Sequence, residues 1–142
     1  MPTVSQVMSR EVQTVAPDDT VQFAAQRMRA CGIGSLPVCR EGQLVGTLTD
    51  RDIAVRVVAP GRLASNTRVE EVMSDHVVYC GEDEDVEAVL QIMGEDQIRR
   101  LPVVRDGRLV GIVALADLAR SRDQPLAQAV REISSPVDRL PE

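Results

Sequence analysis

Apolar positions along this chain change period several times, and each change marks an element. Val12-Gln13-Thr14-Val15 is a β-like run closed by Pro17-Asp18-Asp19. From about Thr20 to Ala30 the residues Val21, Ala24, Ala25 and Met28 fall on one helical face, with the two acids placed to cap it. Gly32 and Gly34 stop that helix. Ser35 to Cys39, a turn at Arg40-Glu41-Gly42 and a return from Leu44 to Leu48 predict a β-hairpin. Thr49 then opens a second helix, expected to run to about Val58. The predicted unit is β-α-β-β-α.

The pattern then starts again. SLPVCREGQLVGTLTDRDIA at 35–54 is matched by RLPVVRDGRLVGIVALADLA at 100–119, a constant shift of 65 residues. The same shift pairs Met8 with Met73, Val21 with Val86, Met28 with Met93 and Asp52 with Asp117. An ungapped match over about fifty residues is one structural unit used twice. In the second copy His76–Cys80 is the expected first strand and Asp83–Glu95 the helix, with Val86, Val89, Leu90 and Met93 inward. Its hairpin turns at Asp106-Gly107, and its last helix runs from Leu115 to about Ser121. A short apolar turn leads each copy, TVSQVM at 3–8 and VEEVM at 69–73.

These patterns divide the chain into a first repeat (1–60), a linker (61–68), a second repeat (69–122) and a helix with tail (123–142). The linker belongs to a polar stretch, APGRLASNTR, short enough that the units should pack rather than swing. In the last segment Leu126, Ala129, Val130 and Ile133 form an apolar stripe outside the repeat, which predicts a C-terminal helix.

Composition narrows the function. With 142 residues and 44% hydrophobic content a real core is available, and it must be aliphatic, because Phe23 and Tyr79 are the only aromatics. Every basic residue is arginine, a planar fork suited to carboxylate or phosphate. The net charge of −6 argues against generic nucleic-acid binding. No apolar run is long enough to span a bilayer and no signal peptide is present, so a cytoplasmic protein is expected. Cys31, Cys39 and Cys80 show no CxxC spacing and read as buried thiols. His76 and Cys80 would share a face of an extended strand, but two ligands do not make a zinc site, so no metal is expected. A redox or metal switch through Cys39, Cys80 and His76 remains a minor alternative. No serine has an evident base and no second histidine exists, so an enzyme is not expected.

The doublet of Leu-Pro-Val, then x-G-x-L-V-G, then a terminal x-x-Asp resembles the tandem CBS-domain pair, or Bateman module, over about residues 4–120. It is most similar to the small free-standing bacterial members. The resemblance implies an α/β fold in which two β-α-β-β-α repeats pack with pseudo-two-fold symmetry. It implies clefts between the repeats for adenosine-containing ligands (AMP, ATP, NAD or S-adenosylmethionine), no required cofactor, a homodimer, and a regulatory role toward a protein that the sequence does not name.

Thr49-Asp50-Arg51-Asp52 can be read in two ways. Thr-x-x-Asp at a helix start is a capping box. Equally, a helix N-terminus offers N–H groups to phosphate, and the family places its ribose-phosphate motif here. On that reading Thr49 meets phosphate or ribose and Asp52 takes the ribose hydroxyls. Gly34 would allow close backbone approach, Ser35 would donate a hydrogen bond, Leu36 and Pro37 would offer apolar surface to adenine, and Thr14 would lie near the base. Arg99 and Arg100, where the first copy has Gly34 and Ser35, would hold an anionic group. The second cleft, with Tyr79, Leu101, Pro102 and Asp117, is expected to be weaker, because Ala114 replaces Thr49. The resulting reading is a sensor of energy or stress state. Its rival is a ligand-free stress or dimerisation protein that uses the same fold as a scaffold.

Overall fold

The computed structural model describes residues 2–121; the helix expected over 126–133 lies outside the described residues. The chain forms two units whose membership crosses the repeat boundary. One contains residues 13–77 with 107–109, and the other contains the N-terminal segment to 12, residues 78–106 and the chain from 110.

In the first-repeat unit the helix α1 spans Val21–Cys31. Its N-cap is Thr20, whose hydroxyl accepts the Phe23 N–H at 3.1 Å. The hydroxyl does what was expected of the neighbouring acids, since Asp19 instead accepts from the Ala16 N–H at 2.8 Å. Gly32 ends α1 in the left-handed region, at φ 67°, a conformation that costs glycine little. The strands β1 (Ser35–Arg40) and β2 (Gln43–Thr49) pair antiparallel. Glu41 and Gly42, both at positive φ, form the two-residue turn. Ahead of α1 only Val15 bridges to β1, parallel at Val38, so the strand expected over 12–15 shrinks to one residue. Past β2, α2 covers Asp50–Ile53, and its bonding widens to a π turn over Ala54–Val58. The linker packs on this unit through Thr67, which is buried and donates its hydroxyl to the Leu63 carbonyl. The short helix α3, Val69–Val72, follows, and its C-terminal Val72 carbonyl accepts from Arg56 at 2.9 Å.

The second-repeat unit repeats the order. β3 is reduced to Cys80–Gly81 and pairs parallel with β4, Arg100–Arg105. Between them α4 runs Val86–Asp96. It starts later than the acidic run implied, because Gly81 to Glu84 closes a turn in which the Glu84 carboxylate accepts the Gly81 N–H. β4 lies between β3 and β5, Arg108–Ala114, and α5 covers Leu115–Ser121. Each unit has its own aliphatic core: Val21, Ala24, Leu36, Val38 and Leu48 in one, and Val86, Val89, Met93, Leu101 and Val113 in the other.

Each core is completed by the leader of the opposite repeat. Val4 is wholly buried with the second-repeat residues, and Val69 and Val72 with the first-repeat residues. The bonds correspond one for one. Val4 N–H donates to the Glu84 carbonyl at 2.9 Å, and Val69 N–H to that of Asp19 at 2.8 Å. Ser9 and Ile112 exchange N–H···O bonds at 2.8 and 2.9 Å, and Ser74 and Thr47 do so at 2.9 Å each. Glycine makes this crossing possible. A Cβ on Gly46 would stand 2.9 Å from the Ser74 carbonyl oxygen, and one on Gly111 would stand 2.9 Å from that of Ser9.

Burial separates the thiols. Cys31 is exposed and Cys39 partly covered, while Cys80 is 1% exposed. Burial pushes the Cys39 thiol up. Burial and, less strongly, the Glu84 charge push Cys80 up to about 12.

Gly46→Ala and Gly111→Ala should each cost about 1–3 kcal/mol in urea unfolding. Adding Met73→Ala to Gly46→Ala should not restore the loss, since the Ser74 carbonyl, not the flexible thioether, is the obstacle; full recovery would refute the crossing. For the thiols, the unfolded chain releases the Cys80 proton above the ordinary value of 9.0, whereas the folded chain keeps it to about 12. Stability should therefore fall as pH rises through that window, and less steeply in Cys80→Ala. A thiol reagent at neutral pH should modify Cys31 first and Cys80 only on unfolding.

Candidate functional site

β1 and β2 bring the predicted first-copy residues into one unit. Ser35 faces Thr49 across the ladder, at the end where β2 passes into α2. The capping box is formed there: Asp52 N–H donates to the Thr49 hydroxyl at 3.0 Å, and Thr49 N–H donates to Asp52 Oδ2 at 2.9 Å. Both residues are half-buried. Thr14 lies beside the start of β1, because the next residue, Val15, donates to the Pro37 carbonyl and accepts from the Cys39 N–H. Gly34 is exposed and Ser35 half-buried, whereas Pro37 is buried and Leu36 is 0% exposed within the core. Leu36 therefore has no exposed surface to give to an adenine.

The second copy uses the same backbone with different chemistry. Asp50 N–H donates to the Gly34 carbonyl at 2.8 Å, and at the matching positions Leu115 N–H donates to the Arg99 carbonyl at 2.8 Å. The Arg99 side chain is exposed and Arg100 half-buried. Leu101 is fully buried and Pro102 buried, while Tyr79 is 54% exposed. Ala114 has no hydroxyl for a cap, and Asp117 pairs with Arg120 one turn on. His76 is exposed and Cys80 buried, and the strand on which the two were expected to share a face covers only Cys80–Gly81. Among the described residues no three His, Cys, Asp or Glu side chains gather as a metal site.

An open cleft of about 520 Å³ lies on the first-repeat unit. α1 supplies Ala25, Met28 and Arg29, the loop supplies Gly32 to Gly34, and α2 supplies Asp50 and Ile53. Of the residues expected from the sequence to contact a ligand, only Gly34 lines it. Thr49 and Asp52 stand next to its α2 wall in sequence. Asp50 points away from Asp52, as residues two apart on a helix must, and reaches Gly34. A Cβ there would lie 2.7 Å from Asp50 Oδ2. The signal for Ala25, Arg29, Asp50 and Ile53 was in the repeat itself. Their counterparts at a shift of 65 are Leu90, Gly94, Leu115 and Leu118, none of them charged.

Among the described residues no helix is long and apolar enough to cross a membrane. The CBS-domain family model matches residues 4–59 and 69–124. CBS domain-containing protein YhcV of Bacillus subtilis is 47% identical over 119 residues, 84% of each chain. Hypoxic response protein 1 of Mycobacterium tuberculosis is 37% identical over 139 residues, 96% of this chain and 97% of its own. The crystal structure of that protein, which holds two coordinated zinc ions, covers 86% of this chain and 100% of its own, with TM-score 0.77. CBSX2, solved in complex with AMP, shares the fold at TM-score 0.74 and 23% identity, covering 85% of this chain and 96% of its own. The doubled hairpin, the matching leaders and these likenesses agree: the chain belongs to the CBS-domain family and carries two copies of that domain.

Proposed function

We propose that this chain is a regulatory CBS-pair protein that binds an adenosine-containing ligand (AMP, ATP, NAD or S-adenosylmethionine) at the first repeat and so reports energy or stress state. The observation that carries this reading is Thr49 with Asp52 at the β2–α2 junction, opposite Ser35. The capping box uses one carboxylate oxygen, Oδ2, and a carboxylate has further lone pairs for ribose hydroxyls. The AMP held by the same fold in CBSX2 supports the ligand class, and the hypoxic-response relative supports the stress role. Arg99 and Arg100 are proposed to hold an anionic group, and the Asp117 site is the weaker one. A ligand would act by favouring one conformation over another. The chain would work in the cytoplasm as a homodimer and would not catalyse a reaction. Phe23, Val55, Val58 and Leu63, all exposed on the first-repeat unit, support self-association.

A second reading, the ligand-free scaffold, is favoured by one observation: Thr49 and Asp52 already satisfy each other. Thermal melting separates the two. A ligand at about a hundred times its Kd adds about 2.7 kcal/mol to the native state. One of the four compounds should raise the midpoint, Asp52→Ala should remove that rise, and Asp117→Ala should largely keep it. Asp52→Ala also loses the Thr49 N–H bond to its carboxylate, about 1.5–3 kcal/mol for a hydrogen bond to a charged group, so the ligand-induced rise is the quantity to compare. No rise with any of the four at millimolar concentration would leave the scaffold reading in place; equal losses from both variants would end the preference for the first repeat.

A further inference from the structure

The open cleft on the first-repeat unit carries two opposite charges that do not meet. Arg29 and Asp50 both line it. Neither has an ion-pair partner among the described residues, although four other pairs form there. The rest of the wall is apolar: Ala25, Met28, Ile33 and Ile53.

The second repeat acts as an internal control for what the scaffold itself requires. Where Arg29 stands, the second copy has Gly94, and where Asp50 stands it has Leu115, turned inward at 6% exposure. The fold therefore demands neither charge, and both are absent from the same copy. The opening follows the same division. Ala25 is matched by Leu90, 4% exposed, and Gly34 by Arg99. Two small residues leave the cleft in the first copy, and two large ones stand in their place in the second. Gly34 also leaves room for the Asp50 carboxylate, which a Cβ there would displace.

We infer that this cleft binds an α-amino-acid group, with its carboxylate on Arg29, its ammonium on Asp50 and an aliphatic side chain against Met28 and Ile53. A bidentate guanidinium–carboxylate contact and a charge-assisted ammonium–carboxylate contact suit these two poles. A purely anionic or purely cationic ligand would satisfy one pole and face repulsion from the other. The group has two possible sources, a free aliphatic amino acid or the amino-acid end of S-adenosylmethionine.

The test is calorimetric titration of the full chain. L-methionine should bind, while its methyl ester and its N-acetyl derivative, which each lack one charge, should bind about tenfold more weakly or worse. Arg29→Gln and Asp50→Asn should each weaken L-methionine by a similar factor. Both side chains are exposed, and circular dichroism verifies that the variants fold. Ala25→Leu, which copies residue 90 and touches neither charge, should abolish binding. S-adenosylmethionine binding far more tightly than L-methionine assigns the group to the adenosyl compound; equal affinities assign it to the free amino acid. The proposal is overturned if neither compound binds at millimolar concentration, or if the Arg29 and Asp50 variants bind both unchanged. Adenosine binding without either compound would overturn this proposal and leave the adenosine reading standing. No binding by any of the three would overturn this proposal and leave the adenosine reading to be decided by the melting test with AMP, ATP and NAD.

Discussion

Backbone laid across a glycine is the contact on which the rest of this molecule depends. At Gly46 and again at Gly111 the hairpin lets the end of a leader run so close that no side chain fits between them. The leader comes each time from the other repeat and brings the valines that finish the core, Val69 and Val72 in one unit and Val4 in the other. Neither repeat contains its whole core in its own stretch of sequence. This is the physical reason for the doubled Leu-Val-Gly: the leucine and valine belong to the strand, while the glycine belongs to the strand's visitor. A buried valine contributes about 1.5–3 kcal/mol, so losing a leader removes a large part of the stability usual for a small unit.

With the backbone held in this way, side chains could diverge without disturbing it. The bond from residue 50 to residue 34 recurs from 115 to 99 at the same 2.8 Å. Yet Asp50 over Gly34 is a carboxylate at an open cleft, and Leu115 beside Arg99 is a core residue below an exposed cation. The αL position that ends each first helix makes the same point. Gly32 and Gln97 occupy it at φ 67° and 54°, one at little cost and the other against its intrinsic preference. The fold sets the geometry twice, and each copy then fills it differently.

That division explains how much was legible beforehand. The helices, hairpins and repeat follow from local periodicity and turn chemistry, which one chain segment carries by itself. The first strands do not: 12–15 and 76–80 look extended, but strand pairing needs an edge, and only Val15, Cys80 and Gly81 find one. The ligand role expected of Leu36 and Leu101 rested on apolar character, which alone does not distinguish a residue that contacts a ligand from one that fills a core; both fill the core. The cleft was harder still, because it is defined by what is missing. An alanine at 25 and a glycine at 34 carry no chemical signal, and only the contrast with Leu90 and Arg99 shows that something has been left out. Asp50, two residues from Asp52 on a helix and so pointing away from it, lies in the cleft for that reason.

On the proposed reading, the capping box at the start of α2 is less an alternative to ligand binding than a partner in it. α2 has four α-helical residues before its bonding widens to a π turn, so few intrahelical bonds sustain its first turn beyond the reciprocal pair of Thr49 and Asp52. A ribose that drew the Asp52 carboxylate away would break its bond from the Thr49 N–H, at a cost of about 1.5–3 kcal/mol. Coupling free energies between sites are typically about 1–3 kcal/mol, the same size as this one hydrogen-bond exchange. The first turn of α2 also carries Asp50 into the cleft, so a change in the cap moves a charged wall. A helix start this short is poised because its stability is comparable to the energy of the contact that would disturb it.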